Sequence, residues 1–265
     1  MTVAHEETVR IAMAGAVLAV GLASFLSPNC MFGVPGMMAC SKSSLSPSQQ
    51  ERLRQALAAR RNAEGIFGRG YGRLFTVLCV AAAGLEFVPG VPYVLPYAII
   101  CIGLALITYL GYIQFRRAAE RRVAPLERRS VLAALPLVSI VSMLGALAAA
   151  LMFMAYPPLR VGALAVAAAT LLLGTTAWRI ATAPSLLLGE DPQVEYAIDQ
   201  RLRVGRATGI AVLACAPGGV FAAFAGATLP SSDLYATVAQ DLALAALLVA
   251  LVAGVLPLIK RLSFA

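Results

Sequence analysis

The stretch 131–178, VLAALPLVSIVSMLGALAAALMFMAYPPLRVGALAVAAATLLLGTTAW, carries one charged residue, Arg160. A helix needs about 20 consecutive apolar residues to cross the hydrocarbon of a bilayer. This stretch holds two runs near that length, 131–156 and 161–178, parted by Pro157, Pro158, Leu159 and Arg160. Paired prolines interrupt a helix and favour a turn. The expectation is therefore a hairpin of two crossing helices.

The same pattern repeats on both sides. No Lys or Arg occurs between Arg73 and Arg116, and Val88, Pro89, Gly90, Val91 and Pro92 supply a turn within that interval. Towards the C-terminus, uncharged runs at 208–227 and 234–259 flank Thr228, Leu229, Pro230, Ser231, Ser232 and Asp233. A first apolar block at 11–26 precedes all of these. The reading is an all-α polytopic transmembrane bundle of seven spans, one N-terminal helix plus three hairpins. The spans fall at about 11–26, 74–88, 94–115, 131–156, 161–178, 208–227 and 236–259. Composition agrees: 60% of residues are hydrophobic and 13% charged, about half the charge that a soluble domain carries.

The basic residues set the sidedness. One segment holds Lys42, Arg52, Arg54, Arg60, Arg61, Arg69 and Arg73, and the next Arg116, Arg117, Arg121, Arg122, Arg128 and Arg129. A third holds Arg179, Arg201, Arg203 and Arg206, and the C-terminus Lys260 and Arg261. Only Arg10 and Arg160 fall elsewhere. Lys and Arg concentrate in the short cytoplasmic loops of membrane proteins, so these segments are expected inside and the topology N-out, C-in. The net charge of +8 is then loop charge that meets anionic lipid headgroups, with Arg69, Arg73, Arg116 and Arg117 as the first contacts. No basic domain exists to bind nucleic acid. The excess of Arg over Lys and the abundance of Ala point to a high-GC bacterium, and so to its cytoplasmic membrane.

Two alternatives concern the N-terminal part. Residues 1–26 could be a cleaved signal, although the start is acidic and no small-x-small site follows. Residues 27–40, which contain Pro28 and Pro35, could re-enter the membrane, and with the first helix inverted Cys30 and Cys40 could pair as an exported disulfide. Two helix starts outside the spans are legible. Ser46, Pro47 and Gln49 open an amphipathic helix over about 47–64, suited to lying at headgroups. Asp191 and Pro192 open another, which carries Asp199 and Arg203 at i,i+4 spacing and is expected to run into the sixth span.

Chemistry is sparse. The only histidine, His5, lies before the first span, which leaves bis-histidine haem, a histidine-ligated metal and serine–histidine hydrolysis unsupported. No cofactor is expected. Lys260 lies beyond the last span, where a retinal-type Schiff base has no place. Gly65, Gly68, Gly70 and Gly72 with Arg69 and Arg73 superficially suggest a phosphate loop, but no strand precedes them and no Gly-Lys-Ser/Thr follows. Cys79, Cys101 and Cys215 sit in apolar runs as small hydrophobes.

Ionisable groups in a span cost about 2.5–3.5 kcal/mol at a helix centre, and two remain, Glu86 and Asp241. Together with Gln240 and the helix-weakening Pro217, Gly218 and Gly219, they form a candidate ion or substrate path. The competing reading makes the acids interfacial and the glycines contact faces for neighbouring helices, with Pro136 and Pro257 kinking their own spans. On these residues the expected function is that of a non-enzymatic membrane subunit or scaffold, whose arginine-rich loops meet lipid, a soluble cytoplasmic partner or a second copy. A small transporter or permease component is the alternative.

Overall fold

The structure, a computed structural model, describes residues 73–88, 91–92, 94–119, 130–183, 192–230 and 232–262, with isolated positions within 11–22 and 46–55. The expectations for residues 27–40, for Cys30 and Cys40, for Arg69 and its glycines, and for most of 47–64 lie outside these. Ser48, Glu51 and Gln55 are helical, and the Gln55 amide donates to Glu51 over 3.2 Å.

Every regular element among the described residues is helical. In chain order they are α1 (Arg73–Leu85), α2 (Val94–Ala119), α3 (Leu137–Phe153), α4 (Arg160–Thr182), α5 (Pro192–Thr228) and α6 (Leu234–Leu262), with 3-10 turns at Val131–Ala133 and Pro157–Leu159. Windows in α2, α4, α5 and α6 are long and apolar enough to cross a membrane, while α1 and α3 are shorter apolar helices. Pro136 departs from expectation. It is the N-cap of α3, so it starts that helix where a kink within it was anticipated, because a proline without an N–H is best tolerated where that donor has no helical partner.

The helices associate through small residues. Ala146, Ala149, Ala150, Ala163, Ala211 and Ala214 are all buried in one core, and such side chains allow backbones to approach closely, so that packing holds the bundle where lipid removes the hydrophobic drive. α3 packs against α4, α5 and α6, α5 also touches α4 and α6, and α2 packs chiefly on α4. A separate small core joins α1 to α2 through Phe75, Cys79, Leu104 and Ile107, with Leu78 filling the space over Gly103.

The outward faces are equally apolar. Leu137, Val141, Leu144 and Leu151 of α3 and Val161, Leu164, Leu171 and Trp178 of α4 are all more than half exposed. Water-soluble monomers rarely leave an apolar patch beyond about 300–600 Å², whereas a bilayer solvates such faces at no cost. Four buried hydroxyls bond within their own helices: Thr108 donates to the Leu104 carbonyl (2.8 Å), Ser142 to Val138 (2.9 Å), Thr176 to Leu172 (2.7 Å) and Thr208 to Val204 (2.7 Å). This back-bonding makes them compatible with an apolar interior.

Candidate functional site

α5 is 37 residues long, about 55 Å at 1.5 Å per residue, so its first turns project beyond the apolar window that begins at Arg203. The projecting part is anchored by Arg203, whose side chain is 4% exposed and meets Asp199 at 2.7 Å. The same guanidinium donates to the carbonyls of Ala181, at 3.3 Å, and Ala183. It thereby caps the C-terminal end of α4, where a cation also complements the helix dipole. The i,i+4 pair was legible in the sequence, but its second task was not.

Midway along the crossing, Pro217 lies inside α5. Its ring removes the N–H that would bond the Leu213 carbonyl and loosens the ladder around it. Two hydroxyls from other helices meet this region. Tyr97 of α2 donates to the Pro217 carbonyl, and Thr170 of α4 donates to the Ala214 carbonyl over 3.0 Å. Aromatic packing surrounds them. The Tyr97 ring stacks on Phe221 with centroids 5.7 Å apart, and Phe221 meets Phe153 of α3 edge-on at 5.5 Å.

The glycines beside the break are occupied by neighbours. A Cβ on Gly218 would lie 3.5 Å from that of Ala146 in α3, and one on Gly219 would collide with Leu247 of α6. About two turns further on, a Cβ on Gly226 would stand 3.1 Å from Nε2 of Gln240. The Pro217 region of the continuous α5 is therefore the junction where α2, α3, α4 and α6 meet. Pro217, Gly218 and Gly219 share it, whereas Gln240 meets α5 about two turns away, at Gly226.

The two acids are placed differently. Glu86, in the turn after α1, is 2% exposed, whereas Asp241 is exposed on α6. Successive helical residues point about 100° apart, so with Gln240 turned towards α5 its neighbour Asp241 faces outward. Arg73 is exposed at the start of α1, and Arg116 and Arg117 fall in the last turns of α2.

A third linkage was not anticipated. The Tyr156 hydroxyl, beyond the end of α3, donates to Oδ2 of Asp233 at 2.7 Å, while Oδ1 of Asp233 accepts the N–H groups of Tyr235 (3.0 Å) and Ala236 (3.2 Å). Asp233 is thus the N-cap of α6 and the tie between two interhelical turns. The phenol bond, aided by the Ala236 N–H, holds its carboxyl below the usual range. Among the described residues no cluster of three or more His, Cys, Asp or Glu could hold a metal ion. Comparison of the chain with protein-family models, curated proteins and solved structures gives no match.

Proposed function

We propose that the chain is a non-enzymatic integral membrane subunit or scaffold of seven spans, N-out and C-in. Its arginine-rich cytoplasmic segments would meet anionic headgroups and a soluble partner. One observation carries this reading: around Pro217 of α5, the best place in the sequence for a solute path, two carbonyls are taken by hydroxyls of other helices and the neighbouring glycines are covered. Tyr97 and Thr170 take carbonyls at the break, and Ala146 and Leu247 cover its glycines. A transport path built on broken helices keeps such carbonyls for the solute.

The second reading, a small transporter, is favoured by the burial of Glu86, since a carboxyl inside a bundle is a proton or cation site by default. Reconstitution into vesicles loaded with a pH-sensitive dye separates the two. A scaffold leaves proton and cation flux at the level of empty vesicles. Flux above that level which Glu86→Gln abolishes establishes the transporter and removes the scaffold.

A further inference from the structure

α6 is the least enclosed of the four candidate spans, with 28% of its window buried against 50–56% in the others. Along it Leu234, Val238, Asp241, Ala245, Leu248 and Val252 are all exposed. Their spacings alternate between four and three, the 3.5-residue repeat that a packing seam would use, within a broader exposed face that also carries Tyr235, Leu244, Val249 and Leu251. Five of the seam side chains need nothing but lipid. Asp241 is the exception: it lies seven residues into the window that starts at Leu234, about 10 Å along the helix. The contact of Gln240 with Gly226 sets it level with the last full turn of α5, inside the end marked by Tyr156 and Asp233. Among the described residues the Asp241 carboxylate has no hydrogen-bond or ion-pair partner.

We propose that this face of α6 docks a transmembrane helix of another protein bearing a Lys or Arg at the depth of Asp241. Carboxylates inside a membrane pair with a cation or a donor, and a polar residue at one seam position selects partner and register. A second copy docked two-fold through the same seam would set Asp241 against Asp241, two like charges in a low-dielectric medium, so a basic partner fits the charge and a copy of this chain does not. The Val, Ala and Leu of the seam supply the packing, and the ion pair supplies the choice of partner. The inference deepens the subunit reading above and rests on it.

The test uses the full chain in phosphatidylcholine vesicles with a fluorescent acceptor. The probes are two donor-labelled synthetic Leu/Ala helices of about 20 residues, one with Arg and one with Leu at the eighth position. The Arg helix is expected to bind about tenfold more tightly, a ratio worth about 1.4 kcal/mol. Asp241→Leu should erase the difference, and Asp241→Arg should reverse it in favour of the Leu helix. Equal binding of both probes to the unaltered chain overturns the proposal, as does a preference that survives Asp241→Leu. Self-association in probe-free vesicles that depends on Asp241 would assign the face to a second copy and also overturn it. Ion flux decides the scaffold reading separately, so failure of the probes removes this partner without touching that reading.

Discussion

Tyr97→Phe removes one oxygen atom from the α5 junction and leaves the rest of the ring in place. The ring should still stack on Phe221, since the 5.7 Å geometry does not involve the hydroxyl. What disappears is the donor to the Pro217 carbonyl. Interhelical hydrogen bonds in membrane proteins are worth about 0.6 kcal/mol on average and up to about 1.7. A bond with both partners buried beside a proline should lie in the upper half, about 1 kcal/mol, which is a fivefold change in the folded-to-unfolded ratio. Reversible unfolding of the purified protein in mixed micelles of increasing SDS content measures it, with Tyr97→Ala as the companion. The Ala variant also loses the aromatic contact and should cost about 3–5 kcal/mol. Backbone hydrogen exchange should rise locally around Pro217 in both. A Tyr97→Phe protein as stable as the parent, with unchanged exchange at the break, would refute the idea that this hydroxyl secures the junction.

Gly219→Val drives two methyl groups into Leu247 and should destabilise by about 1–3 kcal/mol, whereas Gly84→Ala meets nothing within 4 Å and should gain up to about 1 kcal/mol from helix propensity; the same SDS titration compares them. Asp199→Ala leaves the Arg203 guanidinium buried without its anion and should cost about 3 kcal/mol, with the loss seen first as faster proteolysis of the projecting turns of α5. The carboxyl of Asp233 is held below its unfolded range, so its contribution is complete above the unfolded value near pH 3.9 and disappears as the pH falls through the folded value. Thermal melts between about pH 6 and pH 2 should therefore lose stability on the acid side, and Tyr156→Phe should flatten that slope.

The all-helical architecture and its apolar helices could be read from the chain because a bilayer imposes length rules that act locally. The turn at Pro157–Leu159 and the continuous helix from Pro192 follow from proline chemistry and apolar run length alone. What escaped the sequence was tertiary. Tyr97 reaches a carbonyl 120 residues away, and only the general rule that a buried phenol seeks an acceptor could have flagged it. Thr170 carried no signal at all, since a threonine in a helix is as well satisfied by its own backbone, as Thr176 is. Gln240 and Asp241 were grouped together because they are adjacent in sequence, but the rotation of α6 against Gly226 sends them in different directions. That rotation is set by Leu247 over Gly219, a packing choice that no local pattern announces. Arg203 was visible as half of an ion pair, yet its capping role depends on carbonyls contributed by α4.

The balance between scaffold and path turns on what it takes to open the α5 junction. Freeing the carbonyls requires breaking the bonds from Tyr97 and Thr170, together about 1–3.5 kcal/mol. Withdrawing Phe221 from Tyr97 and Phe153 adds about 0.5–1.5 kcal/mol for each ring contact. Near the middle of the summed range, about 4 kcal/mol, one molecule in roughly a thousand would be open at rest. A solute could hold such a state only by binding it more tightly than the closed form by at least that amount. Of the other inward groups, the hydroxyls of Thr108, Ser142, Thr176 and Thr208 are bonded to their own helices, the carboxyl of Asp241 points away from the junction, and Glu86 is buried in the turn after α1, where the flux test of Glu86→Gln addresses it. The free energy that keeps the Pro217 junction packed therefore favours a bundle whose polar contacts lie at its loops and along the outer face of α6. Whatever this protein recognises should be sought there, and variants of the junction should change its stability long before they change its binding.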